Sequence, residues 1–211
     1  MRSILVVNPK GGCGKTTIAT NLATYYAVWD ISTALVDLDP QQSSMDWLRY
    51  RPKDENSIQG FNGLKGKIFP NTDTQRVIYD APARTDSAKV ARLIKLVDVV
   101  IIPVLPSAID MRVAAGFVAD IVTRVRANNS HAIIGVVANR AQKNYQSYKV
   151  LINFLKKLDV PFVGALRNSQ NYIKAADTGV GIFEMSVADA KVDMAEWKPI
   201  INWLEGKRVL K

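Results

Sequence analysis

Short apolar runs rich in β-branched residues alternate along this chain with longer stretches whose apolar positions recur every three or four residues. The runs "SILVVN" (3–8), "STALVD" (32–37), "RVIYD" (76–80), "DVVIIPV" (98–104), "AIIGVVAN" (132–139) and "FVGAL" (162–166) predict strands. They are nearly continuous in apolar character, as expected where both faces of a sheet are covered. Helical spacing appears over 15–28, 87–96, 110–128, 145–158 and 187–204. Strands that alternate with helices in this way predict an α/β fold, a doubly wound, mostly parallel sheet with helices on both faces. The polar stretch "RPKDENSIQGFNGLKGKIFPNTDTQ" (51–75) reads as a surface excursion with room for one short strand. No repeat, low-complexity tract or linker interrupts the pattern, so residues 1–211 read as a single domain.

Composition adds little to this picture. A chain of 211 residues with 48% hydrophobic and 22% charged residues has the make-up of a soluble globular protein with a sizeable core. No apolar run approaches the roughly 20 residues needed to span a bilayer. The basic start "MRSILVVNPK" carries too short an apolar run for a signal peptide and reads as a strand. One cysteine, Cys13, excludes an intramolecular disulfide and fits a reducing, cytoplasmic setting. Charge is more informative: 28 Lys and Arg against 19 Asp and Glu give a net +9. Such an excess fits a polyanionic partner (nucleic acid, an acidic membrane surface or an acidic protein segment), and it also fits a generic solubilising surface. The basic residues are dispersed, not gathered into a tail.

The chemistry is concentrated in "NPKGGCGKTT" (8–17), which lies between the first strand and the first helix. That context is what a phosphate-binding loop requires. Gly11, Gly12 and Gly14 let backbone N–H groups turn inward, and Cys13 fills a position where only the backbone matters. Lys15 is placed to reach the β- and γ-phosphates, Thr16 to ligate Mg²⁺ and Thr17 to meet the α-phosphate. Pro9 stands where the standard G-x-x-x-x-G-K-[ST] pattern has its first glycine, and a second lysine, Lys10, stands at the loop entrance. Two further strands end in carboxylates, "ALVDLDPQQS" (34–43) with Asp37 and Asp39, and "RVIYDAP" (76–82) with Asp80. The late strand ends in "VVANR" (136–140), and "LPSAID" (105–110) follows the strand at 98–104.

The pattern K-G-G-x-G-K-[ST], followed by D-x-D-P-Q, resembles the ParA/MinD family of positioning ATPases with a deviant phosphate loop. The likeness runs through most of the chain in motif order and is closest to small ParA proteins without an N-terminal DNA-binding domain. It implies ATP and Mg²⁺ as cofactors and slow hydrolysis of ATP to ADP and phosphate, stimulated by a cargo-linked adaptor protein. Lys10, Lys15 and Asp39 take the catalytic roles by this likeness, Lys10 reaching across an ATP-dependent homodimer and Asp39 orienting the attacking water. Thr16, Asp39 and Asp80 become the metal-side residues, with Asp37 supporting them. Residues 10–17 with Asn139 and Arg140 become the ATP site, Asn139 at the adenine edge. Pro106, Ser107 and Asp110 fall near the dimer interface.

The ATP form of such a protein binds either nonspecific DNA, as ParA proteins do, or membrane through a C-terminal amphipathic helix, as MinD does. In "VADAKVDMAEWKPIINWLEGKRVLK" (187–211), Val192, Trp197, Ile200, Ile201 and Leu204 share one face with Trp203 nearby. Both an interfacial helix and a core-packed one look like this. Asp189, Asp193, Glu196 and Glu205 suit an anionic surface poorly, and Pro199 is expected to interrupt the helix. The net charge therefore favours DNA and a nucleoid-associated ATP form. Candidate contacts in the C-terminal half are Lys143, Lys149, Lys156, Lys157, Arg167, Lys174, Lys191, Lys198, Lys207 and Arg208. The cargo of such a protein is a plasmid, a chromosome region or a protein assembly such as a carboxysome or chemotaxis cluster. A metabolic ATPase of the same loop type is a third reading, disfavoured by the lack of further cysteines and of a second substrate domain.

Overall fold

The computed structural model describes residues 1–65, 70–84, 87–127 and 130–206. Seven strands among them form one parallel sheet: β1 (Arg2–Val6), β2 (Thr33–Asp37), β3 (Gln59–Asn62), β4 (Arg76–Asp80), β5 (Val99–Val104), β6 (Ile133–Ala141) and β7 (Phe162–Arg167). The order across the sheet is β3-β2-β4-β1-β5-β6-β7. The helices are α1 (Lys15–Val28), α2 (Ser43–Tyr50), α3 (Ser87–Ile94), α4 (Ala108–Ala127), α5 (Gln146–Leu155), α6 (Gln170–Asp177) and α7 (Val187–Leu204).

The apolar runs form strands because each face of the sheet has its own core. Along β1, Ile4 and Val6 point into a cluster shared with Ile18 and Leu22 of α1 and Trp197 and Ile200 of α7. Leu5 and the following Val7 point into the opposite cluster, with Val90 of α3, Val118 and Ile121 of α4, and Leu151 and Leu155 of α5. A period of two along a strand covered on both faces yields this continuous apolar run. The chain leaves β1 toward β2 on one side, returns through β4 beside β1, and continues to β5 on the other side. The crevice at the carboxyl ends of β1, β4 and β5 is thus a switch point, where ligands gather in open α/β sheets.

Three features depart from the sequence reading. Two helices were not predicted: α2, with Ser44 and Trp47 buried, and α6, with Ala175 buried. Each is eight residues long and too sparsely buried for an apolar stripe to emerge. Pro199 does not interrupt α7, which is helical from Val187 to Leu204. Proline removes the bond to the carbonyl of Ala195, but Ala195 is exposed, while Trp197 and Ile200 on either side of Pro199 are fully buried and hold the helix in place. Val192 leaves the predicted apolar face and is 52% exposed. The short strand allowed for within 51–75 is β3, at the edge of the sheet.

Candidate functional site

The loop between β1 and α1 is held from below before any ligand is considered. Asn8, buried, donates its amide nitrogen to the Pro103 carbonyl at 2.6 Å and accepts from the Lys10 backbone N–H at 2.8 Å. Asn139 donates its amide nitrogen to the Cys13 carbonyl at 2.8 Å. Gly14, the residue before α1, has φ of 91°, and a Cβ there would come within 2.1 Å of the Asn139 amide nitrogen. Glycine is thus required at this position by both conformation and space. The sequence suggested a base contact for Asn139. Its amide uses one of two N–H bonds as a prop under the loop, and the second N–H and the amide oxygen are not part of that contact.

Lys15 is only 7% exposed, and its ammonium donates to the Lys10 carbonyl at 3.0 Å, folded into the loop it would serve. Cys13 is fully buried, and its thiol donates to the same carbonyl at 3.3 Å. Burial pushes the Cys13 thiol above its ordinary value despite the opposing effect of Lys15, so it is no activated nucleophile. Lys10 is half-buried, and among the described residues none pairs with its ammonium.

Facing the loop is a carboxylate that the fold has almost sealed. Asp80, at the end of β4, is 1% exposed. Its Oδ2 accepts from the Thr16 hydroxyl at 2.7 Å and from the Ser44 hydroxyl at 2.6 Å. Burial raises its pKa to about 6, against the lowering effect of those two hydroxyls and Lys15. Its other oxygen is buried with no hydrogen-bond partner among the described residues. An unsatisfied carboxylate oxygen beside a threonine hydroxyl at the base of a phosphate loop fits a hard, water-bearing cation such as Mg²⁺.

The two carboxylates of "DLD" divide their work. Asp37 is fully buried and accepts from the backbone N–H groups of Asp39 at 2.9 Å, Ser44 at 2.9 Å and Met45 at 3.1 Å. It thereby caps α2 from outside the helix and shapes the turn that carries Asp39. Burial raises its pKa, and those three N–H groups act in the opposite direction. Asp39 is partly exposed, accepting from Gln41 N–H at 2.9 Å and Ala83 N–H at 3.3 Å. It lines a cleft of about 700 Å³ together with the loop glycines, Lys15, Thr16, Ser43, Arg84 and Arg140.

Sequence reasoning missed Asn8, Ser44 and Arg84. Asn8 and Ser44 act through tertiary contacts that no short pattern encodes, although Ser44 lies just beyond the aspartate motif. Arg84 and Arg140 both line the cleft and both have left-handed backbones, with φ of 56° and 50°. Such a backbone is uncommon for non-glycine residues and tends to cluster at functional sites.

The remaining predicted residues lie elsewhere. Ser107 and Asp110 cap α4: the Ser107 hydroxyl bonds to the Asp110 carboxylate and accepts from the Asp110 N–H at 3.1 Å, and Pro106 directly precedes them. Of the basic candidates, Lys143 is paired with Glu196 at 2.8 Å and Arg167 with Asp193 at 2.6 Å, both on α7. Lys149, Lys156, Lys157, Lys174, Lys191 and Lys198 are exposed, and Lys207 and Arg208 lie outside the described residues. No helix among the described residues is long and apolar enough to cross a membrane.

Comparisons with known proteins agree with this geometry. The "Maintenance of carboxysome distribution protein A" of Halothiobacillus neapolitanus is 28% identical over 193 residues, 87% of each chain. A plasmid partition protein of Borrelia burgdorferi, solved with AMPPNP, superposes with a TM-score of 0.70 at 18% identity, covering 96% of this chain and 99% of that one. MinD in the MinC:MinD complex of Aquifex aeolicus gives 0.75 at 15% identity, covering 100% and 98%. The CobQ/CobB/MinD/ParA nucleotide binding domain matches residues 4–182, which span the phosphate loop, Asp39, Asp80 and Asn139. This chain belongs to the CobQ/CobB/MinD/ParA nucleotide-binding family.

Proposed function

We propose that this chain is a ParA-like ATPase that dimerises on ATP, binds DNA without sequence preference and positions a cargo, its slow hydrolysis accelerated by an adaptor protein. The observation that carries the reading is the division of labour between two lysines: Lys15 is folded into the phosphate loop, and Lys10 stands at its mouth with no partner among the described residues. Lys15 and the loop N–H groups bind the triphosphate of their own subunit, and Lys10 is free to meet the triphosphate of a second subunit. Thr16 and Asp80 would hold Mg²⁺, which when bound would supply positive charge to offset the phosphates. Asp39, held by Gln41 and Ala83 at the edge of the cleft, orients the water that attacks the γ-phosphorus as the bond to the β-phosphate oxygen breaks. Arg84 and Arg140 add positive charge around the nucleotide. Pro106, Ser107 and Asp110, at the start of α4, lie at the dimer interface.

The similarity to a carboxysome distribution protein and a plasmid partition protein supports cargo positioning as the task, and the net +9 supports DNA as the track. A nucleoid-associated ATP form follows from that reading. A membrane track fits less well, because Trp197, Ile200, Ile201 and Leu204, the apolar side of α7, are buried in the protein's own core. Anisotropy of a labelled random-sequence duplex, titrated with protein and Mg²⁺, tests the proposal. Binding is expected with ATP and not with ADP, weakening steeply with salt. Equal binding with both nucleotides, or none with either, would remove the DNA-tracking switch.

A further inference from the structure

We infer that double-stranded DNA lies along the exposed face of α5, contacting the lysine stripe formed by Lys149, Lys156 and Lys157; this deepens, and rests on, the DNA-binding reading. The chain is unusual here in what it lacks. From residue 121 to residue 158 there is no Asp or Glu, and there are seven Lys and Arg. Three of those charges are engaged within the protein, Arg124 with Asp120, Arg126 with Asp159 and Lys143 with Glu196. Arg140 lines the nucleotide cleft. Lys149, Lys156 and Lys157 remain, exposed and without an ion pair among the described residues.

Helix geometry gathers them. Positions 149, 153 and 156 fall on one stripe of a 3.6-residue helix, and Lys157 continues it through the turn closed by its N–H to the Phe154 carbonyl at 3.0 Å. Gln146 and Asn153, both exposed, fill the same face with amide groups. Lysines interleaved with amides are what phosphate and sugar contacts use. The orientation of the helix is fixed, because Leu151 and Leu155 on its other side are fully buried against the sheet. Lys149 and Lys156 are separated by roughly 10 Å along the axis, close to three phosphate steps of one DNA strand at about 3.4 Å each.

The competing basic positions are poorer. Lys191 and Lys198 share α7 with Asp189, Asp193 and Glu196, and Lys174 shares α6 with Asp177. A polyanion approaching there meets carboxylates as well as ammonium groups. Along the α5 stripe it meets none, and Asp159, just beyond it, is held by Arg126 at 2.8 Å.

The experiment compares two charge-matched triple variants of the full chain, Lys149→Gln/Lys156→Gln/Lys157→Gln and Lys174→Gln/Lys191→Gln/Lys198→Gln. Each is titrated onto a random-sequence duplex with Mg²⁺ and ATP across a salt series. The α5 variant is expected to bind DNA at least tenfold more weakly and to lose roughly 3 from the slope of log K against log salt. The second variant is expected to stay within about twofold of the parent. ATP binding and melting temperature should be unchanged in both, and an all-arginine version of the α5 stripe should bind DNA like the parent. A parent that binds DNA alongside an α5 variant that binds equally well would overturn the inference and leave the DNA reading standing. Equal losses in the two variants would reduce the effect to net charge and overturn it as well. A parent that binds no DNA in the ATP state would remove the reading and the inference together.

Discussion

Asp80 is held at a cost that a neutral side chain would not incur. At 1% exposure, with its charge offset only by two hydroxyls and a nearby lysine, it titrates near 6 instead of 3.8. Between about pH 4 and pH 6 the folded protein therefore holds a proton that the unfolded chain has released, and stability falls as pH rises through that window. The gap corresponds to roughly 3 kcal/mol at neutral pH. Asp80→Asn removes the charge and keeps an oxygen that can accept from Thr16 and Ser44. In urea denaturation without nucleotide or divalent metal, the variant should be more stable than the parent at pH 7.5, and the difference should shrink toward zero near pH 4. It should also lose Mg²⁺-dependent nucleotide binding. A parent and variant of equal stability at pH 7.5 would mean that Asp80 is not burdened by its burial. Asp80 was legible as a strand-terminal carboxylate, but its grip was not: Ser44 comes from a helix with no recognisable pattern, and Asn8 secures the loop through a carbonyl ninety-five residues away.

Helix α7 is the element whose sequence allowed two fates, core or membrane. Its apolar side joins the β1–α1 cluster: Trp197, Ile200 and Leu204 are fully buried, and the indole N–H of Trp197 donates to the Tyr172 hydroxyl at 3.1 Å. The far end is tied down through Glu205, which accepts from Tyr26 at 2.8 Å and Arg76 at 2.9 Å. Trp197→Ala should thus cost about 3–5 kcal/mol of folding stability, measured by chemical denaturation. A membrane-inserting helix would tolerate the change in solution and lose liposome binding instead, and that result would reverse the assignment. The strands and the long helices were readable because burial on two faces, or on one stripe, imposes a period. Helices α2 and α6 were not, since contacts distant in sequence place them. Arg51, at the end of α2, forms a buried ion pair with Glu184, and Asn171 of α6 donates to Asp193 of α7 at 2.7 Å. Asp193 and Glu196, both buried on α7, engage Arg167 and Lys143, which looked like free surface charges in the sequence.

At the scale of the whole molecule, the phosphate loop, Asp39 and the start of α4 follow β1, β2 and β5 at the carboxyl end of the parallel sheet, and Lys10 is a cation there whose ammonium has no partner among the described residues. Two such ends brought face to face would set two triphosphates close together, an arrangement repulsive unless each subunit donates positive charge to the other. At a partly desolvated interface a single ion pair at 4 Å is worth up to about 4 kcal/mol. Removing Lys10 should therefore act on association far more than on nucleotide binding, because Lys15 and the loop backbone remain intact. Lys10→Ala is expected to bind a fluorescent ATP analogue within about threefold of the parent and to elute as a monomer from gel filtration with ATP and Mg²⁺. Asp39→Ala keeps both lysines and loses the carboxylate proposed to orient water, so it should elute as a dimer under the same conditions and hydrolyse ATP at background rate with or without adaptor. The pair separates the two roles: one variant fails to assemble, the other assembles and stalls. A Lys10→Ala protein that forms the ATP dimer as readily as the parent would confine Lys10 to its own subunit and leave the coupling of ATP to dimerisation without its cation.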